Sequence, residues 1–297
     1  MKFTYHYQKE TTQQLKYFLK EQGISKSLLA KIKFQGGLIL VNDKRENVLY
    51  SLRPDDRVTI VVPDEKEHET MLVDETPITV IYEDEHLLIV NKPAGVASIP
   101  AQYHPNGTMA NRVKHYYKSQ DYKNQVIHVV TRLDRDTTGL MLFAKHGFAH
   151  AQLDRQLRNK QVEKKYQALV AGNIQNLKAH AMIDLPIARD LSSLLKRKID
   201  CTGQNAQTEY WLQKHNDKIA LVDIKLHTGR THQIRVHFSG IGCPLLGDDL
   251  YGGTMEAGIK RQALHCYKLS FNHPFSEERL TFTLSLPNDM AQIVQNI

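Results

Sequence analysis

From Ile78 onward the chain is divided into short apolar runs of strand length, and this rhythm constrains its fold more than any other feature. The segment ITVIYEDEHLLIVNKPAG sets two such runs on either side of an Asp-Glu turn, and KKYQALVAG, QTEYWLQKH, IALVDIKLHTGR and LTFTLSL continue the series. Helical patterns fill only part of the gaps, near Met109 to Lys118 and Gly147 to Asn159. Regular strand-helix alternation would give a parallel sheet, whereas strands that follow directly on strands give antiparallel pairing with the helices set apart. The expected class is α+β, built on a mixed, largely antiparallel sheet.

A chain of 297 residues is long for one core, and its acidic, polar run PDEKEHETMLVDETP, from Pro63 to Pro77, reads as an interdomain linker. It divides a small unit, residues 1–73, from a large one, 74–297. In the small unit a Thr-initiated amphipathic helix is expected through Phe18 and Leu19, then a second helix from Ser25 that stops at Gly36-Gly37. A strand through Leu38, Leu40 and Val41 follows, then a turn and a further strand in SLRPDDRVTIVV.

A formal net charge of +7 favours a polyanionic partner, although excess lysine also keeps surfaces soluble. Cys201, Cys243 and Cys266 form no CxxC pair, so neither a disulfide framework nor a zinc site is expected, and reduced thiols of a cytoplasmic protein are. No apolar leader follows Met1 and no run of about 18 apolar residues occurs, so neither secretion nor a membrane partner is expected. His227, His232 and His237 recur every five residues, a spacing that suits neither a strand face nor a helix face for metal binding. His265 and His273, around a strand-like run, are expected in structural hydrogen bonds.

One apolar stretch breaks its own pattern. VIHVVTRLDRDTTGLMLFAK, Val126 to Lys145, carries Arg132, Asp134, Arg135 and Asp136 at its centre. A carboxylate between apolar runs implies either a buried ion pair or a reacting group, because its desolvation must be compensated.

RLDRDTTGLMLFAK closely resembles the signature of the RluA-type pseudouridine synthases. LLIVNKPAGVAS before it, and EKKYQALVAG, LHTGRTHQIRVHFSGIGCPLLGDDLYGG and ALHCYKLSFNHP after it, match the same family in order, over about Ile78 to Pro287. The resemblance implies the pseudouridine synthase fold and the isomerisation of RNA uridine. The N-glycosidic bond breaks, the uracil turns while held, and C5 joins C1′, a reaction that needs no cofactor. It assigns Asp134 as the catalytic carboxylate, aimed either at the sugar or at the base ring. A carboxylate in a partly dry pocket stays ionised beside a cation, and the family pattern makes Arg235 that cation, with Arg230, on the same expected turn-strand unit, the second candidate. Tyr166 matches the active-site tyrosine, whose ring can stack on uracil and whose hydroxyl can help remove the C5 proton. Arg132 either fills the place vacated by an extruded uridine or pairs with Asp136. Asp136 is expected to cap or orient the loop, and Lys92, in the NKPAG turn, either meets phosphate or belongs to a purely structural turn.

ISKSLLAKIKFQGGLILVN followed by LRPDDRVTI resembles the S4 RNA-binding module, over roughly Gln13 to Val62. Ser25 is a plausible helix cap there, and Lys26, Lys31 and Lys33 supply cations for phosphate. Lys26 stands where the S4 family often has Arg, and Asp55 where it often has a turn Gly. By analogy with S4-bearing relatives the expected partner is large-subunit, 23S-type ribosomal RNA, met by a monomer. Two other readings were weighed. DRDTTG with the later GDD imitates the acidic motifs of Mg²⁺-dependent haloacid-dehalogenase-like phosphatases, but leaves HTGRTHQIRVH unexplained. A non-catalytic RNA-binding protein would not need Asp134, Tyr166 and Arg235 together.

Overall fold

The computed structural model describes residues 1–65, 71–101, 105–255 and 257–297. At the amino terminus α1 (Leu15–Glu21) and α2 (Lys26–Phe34) accompany a four-stranded antiparallel sheet ordered Lys2–His6, Arg57–Val61, Leu38–Val41, Lys44–Arg45. Tyr7, Leu15, Phe18, Leu19, Ile32, Leu52 and Ile60 form the centre of its core. Ser25 caps α2, its side chain accepting from Leu28 N at 3.1 Å. Helix α1 departs from expectation, because no threonine starts it. Gln13–Gln14 pair with Ser51–Leu52, and the free N–H groups of Leu15 and Lys16 donate to the carbonyls of Tyr50 and Val48, so no side-chain cap is needed. Asp55 takes the left-handed turn conformation, φ 69°, that a glycine would otherwise supply.

The large unit is built on a ten-stranded sheet. Its path runs His180–Asp184, Gln207–His215, Ile219–Leu226, Glu163–Ala171, Leu264–Asn272, Thr138–Ala144, Leu87–Lys92, Thr79–Glu83. Arg279–Thr283 joins beside Leu264–Asn272, and His128–Val129 beside Thr138–Ala144. Among the described residues every pairing in this sheet is antiparallel except that of Thr138–Ala144 with Leu264–Asn272, which gives the mixed α+β class expected from the run of strands.

Strand alternation distributes the apolar side chains. Leu88, Val90, Met141 and Phe143 face α3 (Met109–Ser119), while Leu87, Ile89, Leu140 and Leu142 face the side on which α4 (Gly147–Arg158) packs Ala149 and Leu153. Phe238 of α5 (Gln233–Gly240) joins that second core, and Met290 of α6 (Asn288–Gln295) covers Leu169 and Leu246. The parallel contact brings Gly139 against Cys266, and a Cβ on Gly139 would lie 2.3 Å from the Cys266 carbonyl oxygen. The glycine therefore lets the strand that leaves the Asp134 loop reach its neighbour.

The run from Pro63 to Pro77 is no free tether, and its residues 66–70 lie outside the described ones. Glu65 accepts from Asn124 Nδ2, Gly147 N and His128 Nε2. Asp74 pairs with Arg112 at 3.1 Å, and Asn111 and Lys114 of α3 donate to the carbonyls of Leu72 and Met71. The small unit is docked as well, with Phe3 among His86, His146, Phe148 and Phe275, and Gln152 Nε2 donating to Gln22 O. Removing residues 1–73 would uncover Phe148, now 1% accessible. Lys2–His6, His180–Asp184, the hairpin of Ile187–Arg189 with Arg197–Ile199, and α6 went unread in the sequence. The hairpin carries Arg and Lys through its two arms, so it shows no apolar alternation.

Candidate active site

Asp134 lies on the loop between His128–Val129 and Thr138–Ala144, and backbone contacts hold that loop in place. Ser98 Oγ accepts from Leu133 N at 2.9 Å and donates to Leu133 O at 2.7 Å. Thr137 N donates to Asp134 O, and Arg261 to Asp136 O. Lys92 is fully buried and spends its ammonium protons on the carbonyls of Pro93, Val96 and Arg135, at 2.6 to 2.8 Å. Burial pushes its pKa down to about 7, opposed by Asp136 and Asp134. Three carbonyl acceptors each require a proton, so the geometry describes an ammonium ion. Lys92 therefore cannot meet phosphate: it ties the NKPAG turn to the loop of Asp134.

The Asp134 carboxylate is 31% exposed in a cleft it shares with Arg132, Lys164, Tyr166, Arg230, His232 and Arg235. Arg235 Nη1 stands 3.6 Å from its Oδ2. Such a pair is worth on the order of 4 kcal/mol at an effective dielectric of about 20, less whatever solvent in the open cleft screens. Arg235 sits on α5 and not on a strand. Ile234, Val236 and Phe238 alternate as a strand would, but residues 233–238 are all buried, so no polar face marks the helix.

Arg235 has a stronger partner than Asp134. Its Nε and Nη2 donate to Asp248 at 2.7 Å each, and Asp248 is 1% exposed. The guanidinium also lies over the Tyr251 ring, 4.9 Å from its centroid. This bidentate grip fixes the cation and leaves Nη1 toward Asp134. His232, at the start of α5, adopts the left-handed conformation with φ 57°. Its Nδ1 is 2.9 Å from the Tyr251 hydroxyl, which accepts from Arg197 N. The other ring nitrogen, Nε2, is 4.0 Å from Asp134 Oδ2. Burial lowers the His232 pKa against the pull of Asp134.

Tyr166 enters from Glu163–Ala171 at a bulge between Lys165 and Tyr166, opposite Cys266. Burial first, then Cys266 and Asp134, push its pKa well above the usual phenol value. A neutral hydroxyl can accept a proton only while passing on its own, so a hydroxyl in this position can relay a proton but not remove one as a phenolate.

Arg132 is exposed in the cleft and is not the partner of Asp136, which pairs with Arg135. That contact, and not a helix cap, occupies the Asp136 carboxylate. Arg230 lines the cleft with its Nε on Asn205 O. Lys26, Lys31 and Lys33 are exposed on α2, away from this cleft. Lys26 and Lys33, seven positions apart, share a face, while Lys31 lines the space between the two units. His227 pairs with Glu209, His237 with Thr208 and the Leu185 carbonyl, His265 with Thr138 and His273 with Asp84. Among the described residues no three His, Cys, Asp or Glu side chains gather as a metal ion requires. Asp248, Tyr251, His232 and Lys164 were missed as site residues. The GDDLYGG segment held the signal for the first two, because it closes the LHTGRTHQIRVHFSGIGCPLLGDDLYGG stretch that matches the family.

The family model for RNA pseudouridylate synthase matches residues 86–240. The uncharacterized RNA pseudouridine synthase YjbO of Bacillus subtilis (strain 168) is 42% identical over 281 residues, 95% of this chain and 98% of that relative. Ribosomal large subunit pseudouridine synthase D of Yersinia pestis is 36% identical over 234 residues, 74% of this chain and 70% of its own length. Among solved structures, Human RNA Pseudouridylate Synthase Domain Containing 4 shares the fold, with a TM-score of 0.59, 24% identity, and coverage of 73% of this chain and 92% of that one.

Proposed function

The chain belongs to the RNA pseudouridylate synthase family, and from that premise we propose that Asp134 is its catalytic carboxylate and large-subunit ribosomal RNA its substrate. It is an isomerase of RNA uridine. The observation that carries the assignment of Asp134 is its place in one cleft with Tyr166 and with Arg235, itself locked by Asp248. An ionised carboxylate aimed by a fixed cation can initiate cleavage of the bond between N1 and C1′. The freed uracil turns and C5 bonds to C1′ with the Asp134 carboxylate left free again; the Tyr166 hydroxyl takes the C5 proton as it passes its own to solvent, and N1 takes a proton from solvent. Atoms and charge balance with no cofactor. Arg132, exposed and unpaired among the described residues, is free to occupy the stack left by the flipped uridine.

The relatives named for the ribosomal large subunit, the net charge of +7 and the lysines of α2 support a ribosomal substrate. Asp134, Tyr166 and Arg235 meet in one cleft of a single chain, which supports a monomer. Among the described residues no helix is long and apolar enough to cross a membrane. Carbodiimide primer extension across large-subunit RNA should show one or more stops in cells with this chain that vanish without it. Loss of stops from transfer RNA alone would overturn the substrate, and no loss anywhere would overturn the activity.

Residues 1–62 act, in this reading, as an S4-like phosphate-binding module. Exposed Phe34 next to the Lys33 ammonium, 4.9 Å from the ring centroid, adds a stacking surface to the charge. Because the module is docked, its test keeps the whole chain. A triple Lys26→Met, Lys31→Met, Lys33→Met variant should bind RNA more weakly, with a salt slope shallower by about 2. Its rate at saturating RNA should hold. An unchanged slope would remove the module from RNA binding.

A further inference from the structure

The hairpin of Ile187–Arg189 with Arg197–Ile199, the turn 202–204 and the turn 229–231 enclose a hollow of about 490 Å³. Its cations are Arg189, Arg197 and Arg230, and no carboxylate is among the described residues that line it. The antiparallel register sets Arg189 directly opposite Arg197. Like charges in that position repel and weaken a hairpin, unless an anion lies between them. The hairpin's own acids are engaged elsewhere, Asp190 by Ser192 and Asp200 by Lys198 and Thr202. The Arg197 backbone N–H donates to the Tyr251 hydroxyl and its guanidinium Nη1 to the Lys196 carbonyl, while Arg230 donates Nε to Asn205 O, so both side chains are tethered. Gly229 and Arg230 line this hollow and the cleft of Asp134 alike, so the two adjoin.

We propose that this hollow binds an RNA phosphodiester next to the target uridine, gripped by Arg189, Arg197 and Arg230. The proposal rests on the chain acting on RNA. A uridine held over Asp134 carries a phosphodiester on each side, and the hollow adjoins that cleft at Gly229 and Arg230. Planar guanidinium forks match the paired oxygens of a phosphodiester, which a single carboxylate-free basic wall leaves uncontested.

The test measures single-turnover pseudouridine formation on total RNA from cells lacking the protein, across RNA concentration and KCl. Arg189→Met should raise the half-saturating RNA concentration about fivefold and make its logarithmic salt dependence shallower by roughly 0.7 to 0.9, the loss of one phosphate contact. Arg189→Lys should keep the salt dependence, since it keeps the charge. The Met variant should melt no lower than wild type, because it relieves the repulsion across the hairpin. Unchanged half-saturation and slope in Arg189→Met would overturn the site, as would an equal loss in Arg189→Lys. A wild-type chain that converts no uridine would overturn the RNA reading itself, a distinct outcome.

Discussion

Asp134→Asn is expected to lower pseudouridine formation by about 10⁴-fold or more, as loss of a reacting carboxylate does in other enzymes, while RNA binding persists. The substitution keeps the shape of the side chain and removes its charge. It leaves the loop in place, because Ser98, Lys92, Thr137 and Arg261 hold backbone groups and not the Asp134 carboxylate. Tritium release from RNA labelled at uridine C5, followed in a single turnover, reads the chemical step. A rate within about tenfold of wild type would take the catalytic role away from Asp134.

The second large effect is on stability. Asp248→Ala leaves Arg235, 7% exposed, without its bidentate partner, and an uncompensated buried charge of this kind costs about 3–5 kcal/mol. Activity should fall with it, since Nη1 is no longer held toward Asp134. The double variant Arg235→Met, Asp248→Leu removes both charges and fills the space with apolar atoms. It should recover most of the lost stability, because well-packed apolar replacements of buried pairs are often neutral, yet it should stay inactive. Urea unfolding followed by far-ultraviolet circular dichroism compares the variants. If Asp248→Ala unfolds at the wild-type midpoint, the pair does not support the fold, and a double variant as unstable as the single one would contradict the electrostatic explanation.

How much of this site could be read in advance depended on how local each signal was. The LDRDTTG loop announced itself by charge between apolar runs, and Tyr166 and Arg235 were reached through family resemblance. The structure brings all of them to one cleft. Lys92 stayed open between phosphate and a structural turn because lysine at a turn is usually exposed. The carbonyls that bury it come partly from Arg135, 43 residues away in sequence. Arg230 was legible as a cation near the site, but its place on the wall between two hollows was not.

The strand rhythm after Ile78 determined the sheet, because alternation and turn residues act over a few positions and leave a periodic trace. Ser25 determined the start of α2 in the same way, by one side chain reaching an N–H three residues on. Tertiary structure decided the rest. Helix α5 is buried all round, so its sequence carries no face to read, and only packing made it a helix. The Pro63 to Pro77 run reads as a solvated linker, yet Glu65 and Asp74 found partners on α4 and α3 that its composition could not reveal. Asp248 became the holder of Arg235 through a contact 13 residues long in sequence, and Tyr251 came to join His232 to the backbone of Arg197, 54 residues from Tyr251. Hydrogen bonds and ion pairs depend on distance and direction in space, and a sequence supplies neither until the chain has folded.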